Sequence, residues 1–151
     1  MPIDKALVPV DGSEVSMEAV RLAAELAPKQ GWDVVLLHAI EQPPMPGYAF
    51  PKDVREEALR VLAEEAGAVL ADAEKPLAEA GVKTETKLVH GSPSDAVVQQ
   101  IDESCCGIVI MGSIGIGRGK LGALLLGSVA EQVVHRVRIP VLLVREKQVE
   151  R

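Results

Sequence analysis

Five short segments with the pattern of β-strands alternate along this chain with segments that have the pattern of helices. The strand-like segments lie at residues 6–10, 33–40, 82–90, 107–112 and 139–144. Parallel neighbouring strands require a crossover connection, usually a helix, and strands that alternate with helices are typical of such sheets. The alternation therefore predicts an α/β fold with a five-stranded parallel sheet and helices on both of its faces.

The helical segments show apolar residues at steps of three and four. They cover residues 15–26, 54–80, 92–101 and 128–137. Ser13 and Ser92 stand where helix caps are expected, and Pro93 occupies a first helical position. Gly31 and Gly81 are expected to end the first two helices, and we expect Pro76 to kink or interrupt the second.

Two features fall at the same edge of the predicted sheet. Asp11 follows the first strand, and a glycine-rich loop follows the fourth. Ligands of open parallel sheets bind beyond the carboxyl ends of the strands, where the strand order reverses. One ligand can contact both features only if the first and fourth strands are neighbours.

The glycine-rich loop is the strongest candidate for a binding site. Six of the thirteen glycines lie between residues 112 and 127, at 112, 115, 117, 119, 122 and 127. Without side chains in the way, backbone N–H groups can converge on an anion, and a helix that starts after the loop adds its dipole. Gly127-Ser128 stands at the expected helix cap. These features favour a phosphate site over a plain surface loop.

Two established phosphate motifs fit this loop poorly. Gly119-Lys120 is followed by Leu121 where a P-loop requires Ser or Thr, and position 114 is Ile rather than Gly. Residues 117–122 do match the dinucleotide spacing of three glycines. That match follows the fourth strand rather than the first, and Leu142 stands where an acidic residue is expected.

Composition narrows the class of protein. A length of 151 residues fits a single domain, residues 1–151, and aromatic residues make up only 2% of the chain. With a net charge of −6, this composition argues against nucleic acid as a partner. No apolar run predicts a membrane span or a signal peptide, and the adjacent Cys105 and Cys106 exclude a disulfide framework. We therefore expect a cytoplasmic protein.

In combination, several motifs resemble the nucleotide-binding branch of the universal stress protein family. They span almost the whole chain and are residues 7–13, 36–39, 91–93, 108–113, 125–130 and 140–144. The resemblance implies a Rossmann-like fold of the adenine nucleotide alpha hydrolase type, with strand order 3-2-1-4-5. It also implies a homodimeric stress-response protein that binds ATP.

The resemblance also implies roles for individual residues. Gly127, Ser128 and the backbone of Val129 match positions that hold the phosphates, and Asp11 matches the acid near the ribose. Pro9, Val10 and Ala39 match positions that line the adenine, mainly through backbone contacts. We expect Mg²⁺ to be carried by the phosphates, with no protein metal site.

The family pattern Gly-x2-Gly-x9-Gly-Ser differs from this chain in one place. Gly112-x2-Gly115 and Gly117-x9-Gly127-Ser128 are both present, but they share no glycine. The loop is thus two residues longer, and either Gly115 or Gly117 can act as the second glycine.

No catalytic residue is predicted. The histidines 38, 90 and 135 lack the spacing of metal ligands, and no nucleophile elbow is present.

The apolar strand 141–144, at the expected sheet edge, predicts a homodimer. The leading hypothesis is an ATP-binding regulatory protein with at most slow hydrolysis and an unidentified protein partner. The alternatives are an interaction module without nucleotide and a flavin- or AMP-dependent enzyme. The sequence assigns no role to the proline-rich loop 41–51.

Overall fold

The computed structural model describes residues 2–41, 50–114 and 126–146. These ranges contain five strands, β1 (Lys5–Pro9), β2 (Asp33–Ile40), β3 (Thr84–His90), β4 (Ile108–Gly112) and β5 (Val141–Val144). They also contain four helices, α1 (Glu14–Gln30), α2 (Lys52–Glu79), α3 (Pro93–Ser104) and α4 (Ser128–Arg136). None of these four helices has the length and apolar character needed to cross a membrane.

All strands pair in parallel in one sheet, in the order β3-β2-β1-β4-β5. This confirms the predicted fold class and strand order. Strand β1 lies in the centre, with Leu7 opposite Val35 of β2 on one side and Val109 of β4 on the other. The strand order therefore reverses between β1 and β4, and the condition for a shared ligand at their carboxyl ends is met.

The sheet has an apolar core on each face, which explains why its central strands are almost uninterrupted runs of apolar residues. Val8, Leu36 and Ile110 face the side covered by α1 and α2. Leu7, Val35 and Val109 face the opposite side, covered by α3 and α4. The alternation follows from the two-residue period of a strand.

Two predicted helix starts are confirmed by their caps. The Ser13 hydroxyl accepts a hydrogen bond of 3.1 Å from the Ser16 N–H, and the Ser92 hydroxyl accepts one of 3.3 Å from the Asp95 N–H. Gly31 ends α1 with φ of 75°, in the left-handed region. These caps place the starts of α1 and α3 at the carboxyl edge of the sheet.

Several predicted boundaries differ from the structure by one or more residues, and three features are explained by neighbouring groups. Helix α2 is not interrupted at Pro76 but continues to Glu79, and the residue directly after the proline, Leu77, is buried in the apolar core. Strand β3 begins at Thr84 rather than at residue 82, since the Val82 N–H donates to the Leu77 carbonyl at the end of α2. Strand β5 begins at Val141 rather than at residue 139, after Pro140, which has no N–H.

Candidate functional site

The turn after β1 brings a carboxylate to the edge of the sheet. Asp11 Oδ1 accepts a hydrogen bond of 2.9 Å from the Ser13 N–H, and Gly12 adopts φ of 83°, which only glycine adopts easily. The second carboxylate oxygen of Asp11 has no hydrogen-bond donor among the described residues. One oxygen thus shapes the turn, and the other remains available to a ligand.

The residue before Asp11 has both backbone polar groups paired inside the protein. The Val10 N–H donates to the Leu37 carbonyl at 2.8 Å, and Nδ1 of His38 lies 2.7 Å from the Val10 carbonyl oxygen. Because a carbonyl can only accept, Nδ1 carries the hydrogen. The N–H of Val10 is therefore not available for a backbone hydrogen bond to a ligand. Val10 contributes mainly apolar surface to the site.

Beyond β4, two backbone hydrogen bonds connect the strand ends to the start of α4. The Ser113 N–H donates to the Val144 carbonyl at 2.8 Å, and the Gly127 N–H donates to the Ser113 carbonyl at 2.7 Å. Gly127 is buried beside Ser113 as a result. The N–H of Gly127 is thus already used and cannot donate to a phosphate.

The N-terminus of α4 has no side-chain cap. Gly127 is the N-cap residue, and its carbonyl accepts the first helical bond, 2.9 Å from the Glu131 N–H. The N–H groups of Ser128, Val129 and Ala130 have no acceptor in the part of the chain that the structure describes. Three oriented donors and the positive end of a helix dipole therefore point to one place, as in anion sites.

These elements border one cleft of about 370 Å³ at the carboxyl edge of the sheet. Eight residues predicted to bind the ligand line this cleft. They are Pro9, Val10, Asp11, Ala39, Gly112, Gly127, Ser128 and Val129. The other two predicted residues, Gly115 and Gly117, lie outside the described residues, as does most of the loop 41–51.

Some lining residues are not among the predicted ligand contacts. The cleft also includes Ser16, His38, Glu41 and Pro93. His38 and Pro93 stand at or just after the carboxyl ends of β2 and β3, so the edge rule applied to every strand identifies them. Ser16 has no such signal, because it enters the cleft from the first turn of α1.

Helix α3 fixes the position of α4. The buried Ser94 hydroxyl donates to Oε1 of Gln132 at 2.5 Å, and the Arg136 guanidinium donates to Asp95 at 2.6 Å. The hydrogen bond from Arg136 lowers the pKa of the Asp95 carboxyl below its ordinary value. This polar contact between the two helices keeps the free N–H groups of α4 oriented toward the cleft.

The cleft combines a positive helix end, a carboxylate and an apolar wall. Such an arrangement suits a ligand with an anionic group, hydroxyl groups and a flat apolar group. No cluster of three His, Cys, Asp or Glu side chains suited to a metal ion occurs within the described ranges.

Comparison with known proteins gives consistent matches over the whole chain. Residues 2–145 match the model of the universal stress protein family. The universal stress protein MJ0531 of Methanocaldococcus jannaschii is 31% identical over 147 residues, which cover 97% of this chain and 84% of that protein. The solved structure of MJ0577, from the same organism, superposes with a TM-score of 0.83 at 30% identity, covering 99% of this chain and 100% of that one.

Several of the similar solved structures are complexes with a nucleotide, and two of these have at least 25% sequence identity to this chain. One is a universal stress protein in complex with cAMP, at 26% identity and a TM-score of 0.66, covering 95% of this chain and 98% of that one. The other is the universal stress protein of Archaeoglobus fulgidus in complex with dAMP, at 25% identity and a TM-score of 0.64. It covers 95% of this chain and 99% of that one. Adenine nucleotides are thus ligands of proteins with this fold and family.

Proposed function

This chain belongs to the universal stress protein family, and from that premise we propose that it binds ATP across the carboxyl ends of β1 and β4. The observation that carries the proposal is the uncapped N-terminus of α4, where three N–H groups face the cleft without an acceptor among the described residues. The cAMP and dAMP complexes of relatives support an adenine nucleotide as the ligand.

Each part of the nucleotide has a matching group in the cleft. The N–H groups of Ser128 and Val129, together with the helix dipole, suit the phosphates. The free carboxylate oxygen of Asp11 suits the ribose hydroxyls, since carboxylates accept hydrogen bonds strongly. The apolar surface of Pro9, Val10 and Ala39 suits the base.

We place Mg²⁺ on the phosphates rather than in a protein site. The described residues provide no group of three metal-binding side chains, whereas phosphate oxygens are common Mg²⁺ ligands. The cleft contains the carboxylates of Asp11 and Glu41, and among the described residues neither has a hydrogen-bond partner that would make it a general base. The proposed role is nucleotide-dependent regulation in the cytoplasm by one domain, residues 1–151.

We further propose that the protein forms homodimers through β5. Its four side chains, Val141 to Val144, are uncharged and half-buried at the sheet edge. The opposite edge strand, β3, carries an ion pair of 2.8 Å between Lys87 and Glu85. Charged side chains protect a sheet edge from pairing, and β5 lacks them, so pairing with a second copy is expected at β5.

The nucleotide proposal is tested on the purified protein. Denaturation followed by mass spectrometry identifies any nucleotide released, and calorimetry with ATP and Mg²⁺ measures binding to protein freed of it. We expect an adenine nucleotide or a measurable heat of ATP binding. A protein that releases no nucleotide and gives no heat with ATP contradicts the proposal, and released flavin indicates a different ligand.

A further inference from the structure

The backbone of β2 alternates between two directions. The Asp33 N–H donates toward β1, to Asp4, and the Leu37 carbonyl accepts from Val10 on the same side. The Val34 N–H donates toward β3, to Lys83, and the Ile40 carbonyl accepts from Gly91. Odd-numbered residues of β2 therefore direct both backbone polar groups toward β1, and Ala39 belongs to this set.

The ladder of backbone hydrogen bonds between β1 and β2 ends one bond sooner than a regular parallel ladder would. In a regular parallel ladder, the bond from the Val10 N–H to Leu37 is followed by one from the Ala39 N–H to the Val10 carbonyl. That bond is absent from this structure. The Val10 carbonyl instead accepts from Nδ1 of His38 at 2.7 Å. A side chain of β2 thus takes the acceptor that a backbone group of β2 would otherwise use.

Because the ladder ends there, the N–H donor and the C=O acceptor of Ala39 remain unpaired among the described residues, on the wall of the cleft. Ala39 lines the cleft, and neither its N–H nor its C=O has a partner on the β1 side in the described part of the chain. A buried or half-buried backbone group without a partner is costly, so such a pair is normally completed by water or by a ligand. An adjacent donor and acceptor match the edge of a purine base.

We propose that His38 is a positioning residue that selects the base. By holding the Val10 carbonyl, it leaves the N–H and C=O of Ala39 free to pair with the adjacent acceptor and donor of adenine. This inference rests on the proposed nucleotide function. On the Watson–Crick edge, adenine presents the acceptor N1 beside its amino donor, whereas guanine presents the donor N1–H beside the acceptor O6. The same peptide edge therefore disfavours guanine.

Two substitutions separate this role from a purely structural one. His38→Leu removes the Nδ1 donor, which frees the Val10 carbonyl to accept from the Ala39 N–H and so extends the ladder. His38→Asn retains an N–H donor near the position of Nδ1, so it should keep the ladder open. A merely structural histidine would change the melting temperature of the variants without changing their preference between ATP and GTP.

Hydrogen exchange on the ligand-free protein tests the ladder, and calorimetry tests the base preference. We expect the Ala39 amide to exchange roughly 3- to 10-fold more slowly in His38→Leu than in the wild type or His38→Asn. The preference for ATP over GTP should fall by a similar factor of about 3 to 10 in His38→Leu only.

The outcomes distinguish this inference from the function on which it rests. Equal exchange of the Ala39 amide in the wild type and His38→Leu overturns the ladder argument whether or not a nucleotide binds. Equal ATP-to-GTP ratios in the two proteins, when the wild type binds ATP, overturn the role of His38 alone. A wild type that binds neither nucleotide overturns the proposed function.

Discussion

A Cβ atom on Gly112 would lie 2.6 Å from Cγ1 of Val15 and 3.2 Å from the backbone carbon of the same residue. Strand β4 therefore ends directly against the first turn of α1. This close approach brings the chain after β4 next to the turn that carries Asp11. The glycine at this position has a packing reason that does not depend on any ligand.

Gly112→Ala should therefore destabilise the fold. The added methyl group meets a β-branched side chain and backbone atoms, which cannot move aside easily. Overpacking of this kind costs about 1–3 kcal/mol. Gly67→Ala is a suitable control, because a Cβ at this exposed position in α2 meets nothing within 4 Å and a helical alanine stabilises by roughly 0.5–1 kcal/mol. Urea denaturation measures both, and a Gly112→Ala variant as stable as the wild type would contradict the packing argument.

Gly127→Asp should increase stability while it abolishes ATP binding. An aspartate at the N-cap of α4 accepts hydrogen bonds from the free N–H groups and complements the helix dipole, which contributes a few tenths of a kcal/mol relative to glycine. The same carboxylate accepts the hydrogen bonds of the N–H groups that we propose bind the phosphates, and its negative charge repels the phosphates. Thermal melting and calorimetry measure the two effects.

Gly127→Asn is the matched control for the charge. It caps the helix with a neutral amide oxygen, so its loss of ATP affinity should be smaller than that of Gly127→Asp. If Gly127→Asp binds ATP as well as the wild type does, the phosphates do not lie at the start of α4.

Asp11→Asn should weaken ATP binding without unfolding the turn after β1. The amide oxygen of asparagine can still accept from the Ser13 N–H, while an NH2 group, which can only donate, replaces the second oxygen. Loss of a hydrogen bond to a charged acceptor corresponds to about 10-fold or more in affinity. In the variant, the affinity for ATP should be closer to the affinities for 2′-deoxy-ATP and 3′-deoxy-ATP than it is in the wild type. An unchanged preference for ATP over both analogues would exclude a role of Asp11 at the ribose.

Leu143→Pro should convert the proposed dimer into a monomer. The carbonyls of Pro140 and Val144 accept hydrogen bonds from β4. Because the backbone groups of successive residues in a strand point to opposite sides, the N–H of Leu143 faces the open edge. A proline at this position therefore removes no hydrogen bond between β4 and β5. Thr86→Pro makes the same change at the open edge of β3 and should leave the dimer unaffected. Sedimentation at micromolar concentration reports the mass of each, and a dimeric Leu143→Pro variant would place the interface elsewhere.

Burial of Cys106 should make the fold less stable in alkaline solution. Desolvation of the thiol raises its pKa from 9.0 to about 11, so the folded state disfavours the thiolate. This contribution to stability is complete below pH 9.0 and is lost as the pH rises through about 11. Denaturation at several pH values should give a flatter decline for Cys106→Ala than for the wild type. Cys105→Ala is the comparison: it should retain most of the wild-type decline, because burial is the largest cause of the raised pKa of Cys106 and the charge of the exposed Cys105 contributes less.

Several features of the fold followed from local patterns in the sequence. The periods of two and about 3.6 residues located the strands and helices, and Ser13 and Ser92 marked two helix starts that the structure confirms. Boundaries such as the start of β3 did not follow, because the end of α2 uses the N–H of Val82. A local sequence pattern does not predict which distant group forms a hydrogen bond with a given backbone N–H or C=O.

The same distinction applies to the site. The sequence by itself determined that Asp11 and Gly127-Ser128 lie near the carboxyl edge, since alternation and strand direction are local properties. Only the tertiary structure decided which backbone groups remain free there. The N–H of Gly127 is taken by Ser113 and the carbonyl of Val10 by His38, which leaves the first turn of α4 and the edge of Ala39 open. Hydrogen-bond partners distant in sequence make that choice, and only the folded chain brings them together.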